Sequence, residues 1–267
     1  MNRKALVEQI RSKRNYLCVG LDSDPRLVPG FLQGTADPVF EFNKRIIDAT
    51  AAHCVAFKIN TAFYEMSGAA GWETMQKTVD YIPASHFKIA DAKRGDIGNS
   101  SMMYARAFFE TLAFDAVTVA PYMGEDSVRP FLDYADKWTI LLGLTSNRGS
   151  ADFELLPTAD GLLYETVLRK ASRWGTTDNL MFVIGATQTG WFTRIREITP
   201  DHFYLVPGVG AQGGSLKEIS AQALTADGGL LVNVSRAIIH AGSGEDFALK
   251  AGSVAAAYAA EMAGYLK

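Results

Sequence analysis

Hydrophobic residues along this chain gather in short, nearly continuous runs instead of alternating with polar ones. The runs are Tyr16 to Leu21, Cys54 to Asn60, Phe87 to Asp91, Asp115 to Ala120, Thr139 to Thr145, Met181 to Ala186, Phe203 to Val206 and Leu230 to Val234. A strand with one wet face alternates, whereas a strand apolar on both faces is what a parallel sheet covered on both sides requires. Amphipathic stretches lie between the runs and predict helices over Pro38 to Cys54, Trp72 to Tyr81, Ser100 to Phe114, Ser127 to Lys137 and Asp160 to Trp174. The alanine-rich tail from Ala251 reads as a last helix, with subunit contacts as its other use. Eight strands alternating with helices predict an α/β fold, a (β/α)8 TIM barrel. The 267 residues form a single domain on this reading, close to the ~250 residues typical of such barrels. An open doubly wound sheet is the alternative. It usually breaks into two lobes, and no Pro/Ser-rich linker divides this chain.

Composition narrows the function. Twenty-six basic and 29 acidic side chains leave a net charge of -3, an ordinary balance that argues against a nucleic-acid or membrane-surface protein. Cys18 and Cys54 sit in apolar runs and read as small core residues, not as a disulfide framework. His53, His86, His202 and His240 show no metal-ligand spacing. Met1-Asn2-Arg3-Lys4 leads into a mixed polar helix instead of an apolar signal core. No stretch approaches the ~18 uninterrupted apolar residues of a membrane span, so the expected compartment is the cytoplasm.

Chemistry in such a barrel sits at the carboxyl ends of the strands. There the chain carries Asp22 after the first run, Lys58 in the second, and Asp91-Ala92-Lys93-Arg94-Gly95-Asp96 after the third. The fifth run leads into Thr145-Ser146-Asn147, the seventh into Pro207 to Gly214, and the eighth into Ser235-Arg236. Asp91 and Lys93 are two apart, so an extended backbone points both to one side. Lys58 between Phe57 and Ile59 could merely snorkel over apolar surface. With Asp22, Asp91 and Lys93 at one mouth, it instead joins a mutually compensating network. Four glycines in the eight residues from Pro207 to Gly214 let a backbone approach an anion. Arg236 offers a planar fork for phosphate, and Gln212 a neutral donor. Asp96 serves its own barrel or a neighbouring subunit's site, which spacing alone leaves open. Ser100 reads as the cap of the next helix, Arg94 as a solvated loop charge, and Glu125 and Asp126 as first-turn acids.

Together these residues resemble the orotidine 5'-phosphate decarboxylase family. The likeness rests on Asp22 in Gly-Leu-Asp-Ser-Asp, Lys58 in Phe-Lys-Ile-Asn, and the D-x-K-x-x-D stretch Asp91, Lys93, Asp96 followed by Ile97. It extends through Pro207 to Gly214 and Arg236 to essentially the whole chain. D-x-K-x-x-D is shared with sugar-phosphate relatives of the same superfamily; Lys58 and the two phosphate loops make the likeness specific. The length and the Val-Ile-Gly-Ala-Thr segment ending at Thr187 are similar to the longer bacterial branch. The resemblance implies conversion of orotidine 5'-monophosphate to uridine 5'-monophosphate and carbon dioxide, the last step of pyrimidine synthesis. It also implies that no cofactor and no metal takes part, and that the enzyme is a homodimer with shared sites. On this basis Lys93 would donate a proton to the carbon that loses carboxylate, Asp91 would lie against the departing group, and Lys58 and the partner's Asp96 would complete the network. Asp22 and Lys58 would hold ribose hydroxyls, and Ile97 and Ser100 would come from the partner. Ser146 would bond the pyrimidine, and Gln212, Gly213 and Arg236 would hold the phosphate. Asn60 and Thr61 are weaker candidates. The family pattern leads one to expect Thr where this chain has Ser100, which retains the hydroxyl. Two other readings compete: a metal-dependent keto-sugar-phosphate decarboxylase or aldolase, which needs an acid where Lys58 stands, and a non-catalytic nucleotide-phosphate binding barrel.

Overall fold

The computed structural model describes residues 1–210 and 213–266. Eight parallel strands close into a barrel in chain order: β1 (Leu17–Gly20), β2 (Ala56–Asn60), β3 (Phe87–Arg94), β4 (Ala116–Val119), β5 (Trp138–Leu144), β6 (Leu180–Ile184), β7 (Phe203–Pro207) and β8 (Leu230–Val234). β8 pairs back onto β1 through Leu17↔Val232 and Val19↔Val234. This is the expected TIM barrel, each strand matching one apolar run with its limits shifted by at most two residues, except β3, which runs three residues further, to Arg94. Every residue of β1, β4, β6 and β8 is buried, the consequence of side chains on one face filling the barrel and those on the other meeting helices. Cys18 and Cys54 are free and fully buried, as core residues.

The amino end of the barrel is closed by helix Arg3–Lys13, capped by the Asn2 side chain. Arg3 ties it to the loops entering β6 and β8 by donating to Thr177 O at 2.7 Å and Asp227 Oδ2 at 3.2 Å. Trp138 packs edge-on between Phe87 and Phe203 and donates Nε1–H to Met1 O at 2.9 Å. Ligand access is therefore left to the carboxyl end.

The helices depart from expectation at their ends. Pro38–Thr50, Gly68–Tyr81 and Glu125–Leu132 form where amphipathic stretches predicted them, with Glu125 and Asp126 in a first turn. The expected helix over Ser100 to Phe114 is Gly98–Arg106, followed by a wider π-helical turn over Ala107–Thr111. Ser100 lies inside that helix, and its N-cap position is Ile97, so the capping role fails. The stretch Asp160 to Trp174 contains a two-stranded hairpin, Pro157–Thr158 with Gly161–Leu162, and the helix runs only over Leu163–Ala171. Gly161 turns that hairpin at φ 112, a conformation that side chains oppose. The tail is helical over Phe247–Ala263. Among the described residues no helix is long and apolar enough to cross a membrane.

Candidate active site at the carboxyl mouth

Four charged side chains from three neighbouring strands form an unbroken alternating row. Lys58 on β2 donates Nζ–H to Asp22 Oδ1 at 3.1 Å and to Asp91 Oδ2 at 2.9 Å, and Lys93 donates to Asp91 Oδ1 at 2.6 Å. Lys58 is almost wholly buried, with 3% of its side chain exposed, whereas Lys93 is half exposed at 51%. Burial alone would lower the Lys58 pKa, but the carboxylates of Asp91 and Asp22 outweigh it and raise it above the ordinary lysine value. Burial likewise opposes ionisation of Asp91, but Lys58 and Lys93 hold its carboxyl well below the usual range. Both groups are thus charged at neutral pH, each paid for by its neighbours.

The geometry that brings Asp91 and Lys93 together is not the extended alternation expected. β3 pairs with β4 through Ala90↔Val117 and then Arg94↔Val119. Three residues of β3 therefore bulge opposite Thr118 alone. Lys93 sits inside the bulge at φ 49, in the left-handed region, and its ammonium folds back onto Asp91. Bulges re-aim side chains beside functional sites in this way. Thr118, fully buried, accepts the Lys93 backbone N–H at 2.8 Å and donates its hydroxyl to Asp91 Oδ1 at 3.1 Å.

Lys58, Asp91 and Lys93 of the row form one wall of a cleft of about 420 Å³, with Leu142, Thr145, Ser146, Glu154, Val183 and Pro207 among its other lining residues. Ser146 lines this space. Glu154 accepts both the backbone N–H and the hydroxyl of Thr145 at 2.7 Å, which anchors the turn carrying Ser146. Next to β1 in the barrel, β8 leads into Arg236, which is exposed in the first position of the short helix that follows. In the loop after β7, Gly208, Gly210 and Gly213 have φ of 97, 75 and 87, so three of the four glycines do what only glycine does easily. Gln212 lies outside the described residues. Asn60 and Thr61 end β2 beside the row, with the Thr61 N–H donating to Asp91 O at 3.4 Å.

Asp22 is supported from beneath. Ser23 donates to Asn43 Oδ1 at 2.6 Å, Asn43 Nδ2–H donates to Tyr64 Oη at 2.9 Å, and Tyr64 donates to Leu21 O at 3.0 Å. All three side chains are buried. They fix the backbone on either side of Asp22, so its carboxylate meets Lys58 without a search.

Three expected site residues stand apart from the row. Asp96 is spent on the backbone N–H of Ile97 at 2.7 Å, and no ion pair joins it to Lys58, Asp91 or Lys93 among the described residues. Ile97 and Ser100 are exposed. Arg94 is not the solvated loop charge expected. It ends β3, donates to Ala92 O at 3.0 Å and to the Glu65 carboxylate, and lies over the rings of Tyr104 and Phe108. Sequence reasoning missed Thr118, Glu154 and the Ser23–Asn43–Tyr64 relay. Thr118 did leave a signal, as the one polar residue within the run Ala116 to Val119. Among the described residues no three His, Cys, Asp or Glu side chains converge as metal ligands would.

Comparison with known proteins gives this geometry a family. The orotidine 5'-phosphate decarboxylase / HUMPS family profile matches residues 15–251. A Phocaeicola vulgatus protein named orotidine 5'-phosphate decarboxylase is 55% identical over 266 residues, spanning 98% of each chain. One of the same name from Bacteroides fragilis is 53% identical over 100% of this chain and 99% of its own. The solved structure of Leishmania donovani OMP decarboxylase superposes with a TM-score of 0.82 at 38% identity, over 97% of this chain and 99% of that one. The chain belongs to the orotidine 5'-phosphate decarboxylase / HUMPS family.

Proposed function

We propose that this member of the family converts orotidine 5'-monophosphate to uridine 5'-monophosphate and carbon dioxide, in the cytoplasm, as the last step of pyrimidine synthesis. The observation that carries the reading is the Asp22–Lys58–Asp91–Lys93 row, whose last three members line the cleft, with its outermost ammonium half exposed.

Breaking the ring-to-carboxylate bond leaves its electron pair in an orbital that the ring π system does not delocalise well. Stabilisation must then come from charge fixed in place before the reaction. Lys93 supplies it and passes one Nζ proton to the carbon that held the carboxylate; solvent reprotonates the amine on product release. A unit charge at ~4 Å contributes roughly 4 kcal/mol at an effective dielectric of about 20. One ammonium therefore supplies part of the barrier reduction, and differential binding of the remote phosphate and ribose supplies more. In this reading Asp91 lies against the departing carboxylate, Asp22 and Lys58 hold the ribose, and Ser146 bonds the pyrimidine. Arg236, Gly213 and Gln212 hold the phosphate. No metal or organic cofactor enters the scheme.

The same proposal makes the enzyme a homodimer. Asp96, Ile97 and Ser100, which their own row does not use, reach the partner's cleft. One feature supports this: Ile97, Met102, Met103 and Tyr104, which follow Asp96 in the chain, and Tyr122 and Met123 after β4 are exposed. An apolar surface of that kind marks an interaction site.

Incubating the protein with orotidine 5'-monophosphate and following the ring absorbance tests the reaction. Turnover should survive a chelator and vanish in Lys93→Ala while uridine 5'-monophosphate still binds. Loss on chelation would restore the metal-dependent reading, and no turnover at all would favour a binding protein. Mixing inactive Lys93→Ala and Asp96→Ala chains tests the shared site, because one of the two sites in a mixed dimer keeps both residues. No recovered activity in verified mixed dimers would refute it.

A further inference from the structure

We infer that Thr118 is a positioning residue for the decarboxylation, holding Lys93 and Asp91 in mutual register through one buried hydroxyl. The inference rests on the reading of Lys93 as proton donor and deepens it.

The bulge creates a difficulty that Thr118 resolves. A regular parallel ladder would offer each buried N–H of β3 a carbonyl on its neighbour. Between Ala90↔Val117 and Arg94↔Val119 the register jumps, and the Lys93 N–H takes the Thr118 hydroxyl oxygen as its acceptor, at 2.8 Å. An unsatisfied N–H at this depth would press the bulge to rearrange. The hydroxyl proton is committed as well, to Asp91 Oδ1 at 3.1 Å, the same oxygen that receives the Lys93 ammonium at 2.6 Å. Thr118, Asp91 Oδ1 and Lys93 thus form a closed loop in which the backbone and the side-chain tip of Lys93 are both tied to one carboxylate. Thr118 itself is fully buried in β4, so its hydroxyl has a fixed rotamer and no water to choose instead. The left-handed backbone of Lys93 is a strained conformation that persists only where its surroundings over-determine it. Thr118 is one of the contacts that do so.

The test compares Thr118→Val, which keeps the shape and loses the hydroxyl, with Thr118→Ser, which keeps the hydroxyl. Lys93→Ala serves as reference, and turnover, KM, uridine 5'-monophosphate affinity and thermal unfolding are measured for each. Misplacing a reacting group by ~1 Å can cost about 100-fold in rate. Thr118→Val should therefore lose kcat on that scale while KM and product affinity change only a few-fold, and Thr118→Ser should recover most of kcat. A Thr118→Val variant with kcat near the parent's, or a Thr118→Ser no better than Thr118→Val, overturns the inference. So does a lowered unfolding temperature with kcat per binding-competent molecule unchanged, which is the mark of a merely structural hydroxyl. Should Thr118→Val not fold, Thr118→Ser against Thr118→Ala makes the same comparison with less bulk. Lys93→Ala separates the two layers. If it retains turnover, the proton-donor reading falls and takes this inference with it. If it is inactive while Thr118→Val is normal, only the positioning role falls.

Discussion

Lys58→Met removes the ammonium that two carboxylates share. In the parent, Lys58 lies 3.1 Å from Asp22 Oδ1 and 2.9 Å from Asp91 Oδ2. At ~3 Å and an effective dielectric of about 20, each contact is worth roughly 5–6 kcal/mol before desolvation. Desolvation offsets most of that while the network is complete. Breaking it is different, because the stranded carboxylates keep their burial and lose their partner. Removing one member of a buried pair costs about 3–5 kcal/mol. Asp91, with 12% of its side chain exposed, bears most of that cost, while Asp22 at 19% regains some water. Lys93 and Thr118 still hold Asp91 Oδ1, so the lower end, about 3 kcal/mol, is expected. Urea unfolding near pH 7.5 without ligand reads this as a lower midpoint at unchanged slope. The double variant Lys58→Met/Asp91→Asn should regain about 1–3 kcal/mol over Lys58→Met, because the uncompensated charge is gone.

Acid sharpens the contrast. In the parent the Asp91 pKa is depressed below 3.8, so its contribution is present above that pH and is lost as pH falls through the native value. Without Lys58 the burial that opposes ionisation weighs more heavily and Asp91 moves upward, so the variant's deficit should shrink as pH falls toward 4. A loss of less than about 1 kcal/mol, or a double variant that loses the sum of the single losses, would refute the network argument.

Three further outcomes are expected. Arg236→Ala should weaken uridine 5'-monophosphate binding by about 10- to 100-fold, the scale of one or two charge-assisted bonds, with a shallower salt dependence in calorimetric titration. Tyr64→Phe should cost about 1–2 kcal/mol in thermal unfolding and raise KM, because the Leu21–Asp22 turn loses its buried hydroxyl; an unchanged KM would detach that relay from the site. His202 is buried against Phe182 with neither ring nitrogen hydrogen-bonded among the described residues, and burial pushes its pKa down to about 4. Its neutral form is thus favoured by folding: stability is full above pH 6.5 and falls, by up to about 3 kcal/mol, as pH drops toward 4. His202→Phe should flatten unfolding curves across that window and leave turnover alone.

Much of the site was legible because its residues announce themselves locally. Lys58 is a cation in a run otherwise apolar, Asp91 ends another such run, and the glycines after β7 are dense enough to read as a turn. Asp22 needed only the end of β1 to be placed. What was misread turned on contacts made elsewhere. Arg94 looked solvated because it follows the apolar run in what read as a charged loop; its own charge is taken up by Glu65, 29 residues away. Ser100 looked like a cap because serines usually are, yet the helix starts earlier, at Gly98. The helix expected from Asp160 starts late because Gly161 and Pro157 form a hairpin first.

By itself the sequence determined the eight barrel strands, their parallel, doubly covered character and the end that carries the charges. Each of these follows from burial along one segment, and the spacing of apolar residues records that burial directly. Tertiary structure alone decided how Lys93 meets Asp91. The bulge, the left-handed backbone and the Thr118 hydroxyl 25 residues away satisfy one another across two strands. Hydrogen-bond satisfaction of that kind belongs to pairs of segments, and no pattern within either one encodes it.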